Sequence, residues 1–238
     1  MNNVFITRGA SARQLDLLAE WARSNASLSN ENFDLIRYIE FDLPRIFPGL
    51  HVHIEDDSAM GSVRAFISDK PLALVLSESI YEGAINNSLF SKEIILHEVG
   101  HLLLHYKSAS LGLNSASGNY TDRILNTNLA NSAEWQATTF ALCFLFPFSK
   151  FGNARTREQI EARCGVSPRY ADRILRHLTR LRMRQGGSPT NRDRQWLNRV
   201  LNSISNKETT KTTTKFQSQL LLFFSKNRDL NNPRVNFR

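Results

Sequence analysis

The stretch "SKEIILHEVGHLLLHY", Ser91 to Tyr106, decides how this chain is read. Its centre, HEVGH, sets two histidines four residues apart, with a glutamate directly after the first. Four residues of helix advance about 6 Å and turn slightly past a full circle, so His97 and His101 project from one face. Neutral imidazole nitrogens on that face can converge on one ion. A catalytic zinc takes three protein ligands and keeps a fourth position open. Glu98 points beside such an ion rather than at it, where its carboxylate can act as general base toward a water that the metal polarises. This is the physical content of the HExxH pattern. The competing reading is a helix whose histidines simply face solvent. The flanks "EIIL" and "LLL" oppose it, because they make the helix apolar on its inner face.

His105 continues the row by another turn. It lies roughly 12 Å of helix rise beyond His97, too far to share an ion with both other histidines. It also misses the longer HExxHxxGxxH spacing. It reads as a group behind the ligands or as a polar helix end. A third ligand must come from elsewhere, and the best candidate is Glu134 in "NSAEWQATTFALCFLFP". Glu134 stands near the start of the next apolar helix, after a loop long enough to fold back. Asn131 and Glu134 also have capping-box spacing, so a capping role competes. Asp122 and Glu93 are weaker rivals.

"HEVGHLLLH", a polar gap and then "EWQATTFALCFLFP" resemble the ImmA/IrrE family of metallo-endopeptidases. The second element of that family is met here by Glu134, Gln136, Ala137, Phe140, Ala141, Phe144, Leu145 and Pro147, with Phe144 in place of a usual Leu and Phe146 in place of a usual Met. The resemblance is strongest over residues 91–147. It implies a zincin-like, gluzincin-like core that binds Zn2+ through His97, His101 and Glu134, with Glu98 as catalytic base. It implies an edge strand that holds substrate, which "LALVLS" would supply. It also implies a cytoplasmic protease of prophage, mobile-element or stress-response type, whose protein substrate is a helix-turn-helix transcriptional repressor.

Upstream, "LHVHIEDD", "GSVRAFISD" and "KPLALVLSES" read as three strands. Their short links favour an antiparallel meander. His51 and His53 share a face of the first strand and read as surface or edge residues. Further upstream, "SARQLDLLAEWARSNA" places Leu15, Leu18 and Trp21 on one helical face with Ser11 as N-cap. "NFDLIRYIEFDLPRIFPGL" repeats the pattern, and Pro44 is expected to kink or end that helix.

Downstream, residues 107–131 are rich in Ser, Asn and Gly and read as a loop. "IEARCGVSPRYADRILRHL" resembles a helix-turn-helix, with the turn at Gly165 and with Arg169, Arg173 and Arg176 on the second helix. Glu161 departs from that pattern, where a small residue usually allows close packing. "SPTNRDRQWLNRVLNSIS" is a further helix. The end of the chain is polar and repetitive and reads as disordered apart from Leu220–Phe224, which could dock on the body or mediate self-association.

The chain has 238 residues and a net charge of +8. That charge is uneven: residues 1–149 carry −6, 150–200 carry +9 and 201–238 carry +5. The expected organisation is α+β: a metallopeptidase domain over 1–150, a basic helix-turn-helix-like domain over 151–204 and a polar tail over 205–238. The basic 155–200 region is a candidate for DNA contact, for docking of a repressor, or for plain scaffold. The two cysteines, Cys143 and Cys164, form neither a disulfide framework nor a zinc clip, and Cys143 reads as buried packing. No apolar run approaches a membrane span. Two other functions stay open: a DNA-binding regulator with a structural zinc site, and a cytosolic metallopeptidase of broad specificity.

Overall fold

Ser11 opens the first helix. Its side chain accepts the N–H of Gln14, while the Gln14 side chain accepts the N–H of Ser11, so two otherwise orphaned donors are satisfied. The helix, α1 (Ala12–Ser24), buries Leu15, Leu18 and Trp21. The computed structural model of the chain describes residues 9–26, 33–106, 129–184 and 189–205. The expectations for Asp122, for most of the 107–131 loop and for the tail from 206 onward lie outside those residues.

The second apolar pattern forms α2 (Leu35–Arg37), a π-helical stretch (Tyr38–Asp42) and α3 (Leu43–Ile46). Pro44 does not end the helix, which runs on to Ile46. A proline there lacks an N–H and crowds the carbonyl one turn back. The π stretch falls at that point: the Leu43 N–H reaches five residues back to the Tyr38 carbonyl, which widens the turn ahead of the ring.

Three strands follow, β1 (His51–Glu55), β2 (Ala65–Asp69) and β3 (Leu72–Ser77), in the order β1-β3-β2. β2 and β3 pair antiparallel, but β1 and β3 run parallel. The expected antiparallel meander is therefore corrected to a mixed sheet. The link after β1 is no tight turn: it holds a helical turn, α4 (Asp57–Met60), and carries the chain past the place that β3 then fills. "LALVLS" is correspondingly the central strand, not an edge, and Ala73 to Ser77 are all buried. The edges are β1 and β2.

Helix α5 (Glu78–Ile85) leads into α6 (Leu89–Leu104), which carries HEVGH. Ser88 caps α6 by accepting the Ser91 N–H. After a 3-10 turn (Leu129–Asn131), α7 (Ala133–Leu145) packs on α6. The two helices meet tightly at Gly100. A Cβ there would lie 3.0 Å from the Ala137 Cα and 3.2 Å from its carbonyl oxygen, and backbone cannot step aside. Gly100→Ala is expected to cost about 1–3 kcal/mol of stability, measured by urea unfolding.

The rest is helical: α8 (Phe148–Phe151), α9 (Arg157–Cys164), α10 (Pro168–Arg184) and α11 (Asn191–Ser205). Gly165, at φ 61°, makes the left-handed turn after α9 that a side chain would resist. Leu181, Trp196, Leu197 and Leu201 join the main core with α1, α6 and α7. A second core joins Leu142 and Phe146 to Ile160, Ala171, Ile174 and Leu178. Packing thus runs unbroken across residue 150. The described residues form an α+β fold, mostly helical, with one small mixed sheet. No helix among them is long and apolar enough to cross a membrane.

Candidate metal centre

α6 and α7 bring three ligand groups together. The Nε2 atoms of His97 and His101 stand 3.0 Å apart. Glu134 reaches His97 Nε2 with Oε2 at 3.2 Å and His101 Nε2 with Oε1 at 3.3 Å. The capping role that competed for Glu134 falls elsewhere: Ser132 is the N-cap of α7 and accepts the Trp135 N–H. Glu134 sits one position earlier, free to turn toward α6.

The set fits a small divalent cation. Zinc held tetrahedrally by nitrogen and oxygen at about 2.0–2.1 Å separates its ligands by about 3.3 Å, close to the spacings found here. Two imidazoles and a carboxylate suit zinc by donor type as well. Hydrogen bonds with the His101 and His97 rings hold the Glu134 carboxyl well below the usual carboxylate range, so it is an anion. Its side chain is 50% exposed, which leaves the cluster open on one side.

Glu98 stands outside the trio, as its place one residue after His97 requires. Burial raises its carboxyl above the ordinary value, against the opposing pull of His101 and His97. A carboxylate made more basic beside three ligand groups is suited to take a proton.

Behind the trio lies a second row. Thr138 Oγ1 is 3.2 Å from His97 Nδ1. His105 Nδ1 is 3.0 Å from His101 Nδ1, and its Nε2 is 3.1 Å from Gln136 Oε1. His105 thus stands outside the trio as a neighbour of His101. Burial pulls its pKa down to about 4, so it is neutral near pH 7. Sequence reasoning missed Thr138 and the role of Gln136. Thr138 had a usable signal, since it lies four residues after Glu134 and so on the same face of α7.

The remaining candidates lie elsewhere. His51 and His53 are exposed, and His53 Nε2 bonds Glu55 at 3.2 Å. Cys143 is fully buried, and burial raises its thiol well above the ordinary value. Glu93, the rival on α6, is taken by α10: Tyr170 Oη donates to it at 2.5 Å and the Arg173 guanidinium grips both carboxylate oxygens. Of the three arginines expected to face DNA, Arg173 therefore turns to the HEVGH helix, while Arg169 and Arg176 remain exposed. Arg173→Ala should cost about 1–2 kcal/mol by thermal or urea unfolding. That is less than the roughly 3–5 kcal/mol of a fully buried pair, because the Arg173 side chain is 38% exposed and screened by solvent.

Compared with protein-family models, curated proteins and solved structures, the chain matches none of them.

Proposed function

We propose that this chain is a zinc-dependent endopeptidase of the ImmA/IrrE type, with a zincin-like core, that cuts a helix-turn-helix transcriptional repressor. The observation that carries the reading is Glu98. It lies beside a His97, His101 and Glu134 cluster of metal-ligand spacing, in surroundings that make its carboxylate more basic. A site that only held the fold together would have no use for such a base and would usually close with a fourth protein ligand.

Zinc bound by these three residues supplies Lewis acidity toward a peptide carbonyl and toward water. The chain's own residues do the rest. His97, His101 and Glu134 fix the position of that acid against α6 and α7. Glu98 takes a proton from the attacking water on a carboxylate oxygen and delivers it to the departing amine. The edge strand that packs beside α6 is β2, so an extended substrate segment would pair with β2 rather than with the buried β3. Such pairing reads main-chain shape more than side-chain identity. The repressor as substrate rests on the family resemblance.

The test is incubation of the zinc-loaded protein with the repressor encoded beside its gene. A single internal cut that a chelator abolishes and added zinc restores is the expected result. Cleavage of many unrelated unfolded proteins would point to broad specificity. A second reading, a DNA-binding regulator with structural zinc, is favoured by exposed Arg169 and Arg176 on the second helix of the helix-turn-helix-like pair. It requires salt-dependent DNA binding with no proteolysis of any partner.

A further inference from the structure

We infer that His105 and Gln136 hold His101 in the one tautomer that can ligate metal, through a one-way chain of hydrogen bonds that ends on the Ala130 carbonyl. The inference rests on the metal reading of the site and assigns positioning roles to two residues outside it.

The direction of the chain follows from its fixed end. The Ala130 carbonyl only accepts, and the Gln136 amide nitrogen, 2.6 Å away, only donates. The opposite amide orientation would press two carbonyl oxygens together at that distance. Gln136 Oε1 therefore faces His105 Nε2, and as an oxygen acceptor it requires the proton on that nitrogen. A neutral imidazole has one N–H, so His105 Nδ1 carries a lone pair. It accepts from His101 Nδ1 at 3.0 Å. His101 then keeps a proton on Nδ1, and Nε2, which faces His97 and Glu134, is the nitrogen that would give up its hydrogen bond to Glu134 and ligate a metal. The fixed end sets the first two steps, and the third holds for a His105 that carries one proton. A doubly protonated His105 would donate to His101 instead, push the His101 proton onto Nε2 and block ligation.

The chain is well anchored. Gln136 is 1% exposed, so water does not readily replace its partners. The Ala130 carbonyl also accepts the Ala10 N–H at 3.0 Å, which ties the far end to the start of α1. Ligating histidines usually lean on a carboxylate or a carbonyl through their second nitrogen; here a neutral imidazole and an amide take that place.

Two measurements on the full chain test the assignment. Zinc affinity, read by competition with a chromophoric chelator, should fall about 10- to 100-fold in His105→Phe and in Gln136→Met. The melting temperature of each metal-free variant shows whether it folds. Nitrogen-15 spectra of the imidazole rings in the zinc-loaded wild type should place the proton of His101 on Nδ1 and that of His105 on Nε2 alone. A His105 protonated on Nδ1 overturns the relay, and so does unchanged zinc affinity in a folded His105→Phe. If neither variant folds, the wild-type spectrum decides. A wild type that takes up no zinc sinks the metal reading itself, whereas a wild type that binds zinc without cleaving any repressor leaves the relay standing and removes only the protease.

Discussion

Glu98→Gln is expected to keep zinc at the proposed site and to lose roughly 10²- to 10⁴-fold in peptide hydrolysis, the range that a positioned general base contributes. The amide matches the carboxylate in size and cannot take a proton from water. His97, His101 and Glu134 keep their mutual spacing in this variant, because none of their hydrogen bonds runs through Glu98. Burial already disfavours a charge at this position, so the neutral amide costs little stability and the loss falls on the chemistry. The check is a paired measurement of zinc content and cleavage rate. Loss of zinc together with loss of rate would place Glu98 among the ligands and contradict its assignment as base.

Glu134→Ala fails one step earlier. It removes the only anion of the trio and leaves two imidazoles 3.0 Å apart with no third group of ligand spacing among the described residues. Zinc affinity should fall by more than the roughly 10- to 100-fold that loss of a supporting hydrogen bond costs. The metal-free protein should keep its fold. Ser132 still caps α7, and the truncated side chain was half exposed. Equilibrium dialysis against zinc reads the first effect and circular dichroism the second. Retention of wild-type affinity would hand the third-ligand role to another residue.

These outcomes also show how far residue pattern alone reaches. Helical periodicity was enough to place His97 and His101 on one face, to set Glu98 aside from the trio and to put His105 beyond it, because three of the four lie on α6 and His105 is its C-cap. Glu134 was legible as a carboxylate at the start of a second apolar helix. Its distance from α6 was not, since that depends on the Gly100–Ala137 crossing. Thr138 and the His105–Gln136 contact depend on the same crossing.

The sheet shows the opposite case. All three strands were visible, yet their order was not. The residues after β1 looked like turn chemistry and in fact form the helical turn α4, which lets β3 enter the middle. The unbroken apolar run of β3 was the signal of a central strand, buried on both faces. Pro44 marked a real conflict in the backbone, and the π stretch absorbs it without a break. Arg173 could not be separated from Arg169 and Arg176 by pattern, because its partner Glu93 lies 80 residues away on another helix.

The measurement that bears most directly on the proposed zinc endopeptidase activity is the mass spectrum of the neighbouring repressor after incubation with the zinc-loaded protein in oxygen-18 water. One internal cut, with a single heavy oxygen in the new C-terminal carboxylate and no cut from Glu98→Gln, is the result predicted. An intact repressor in the presence of fully zinc-loaded protein, or equal cleavage by wild type and Glu98→Gln, would contradict it.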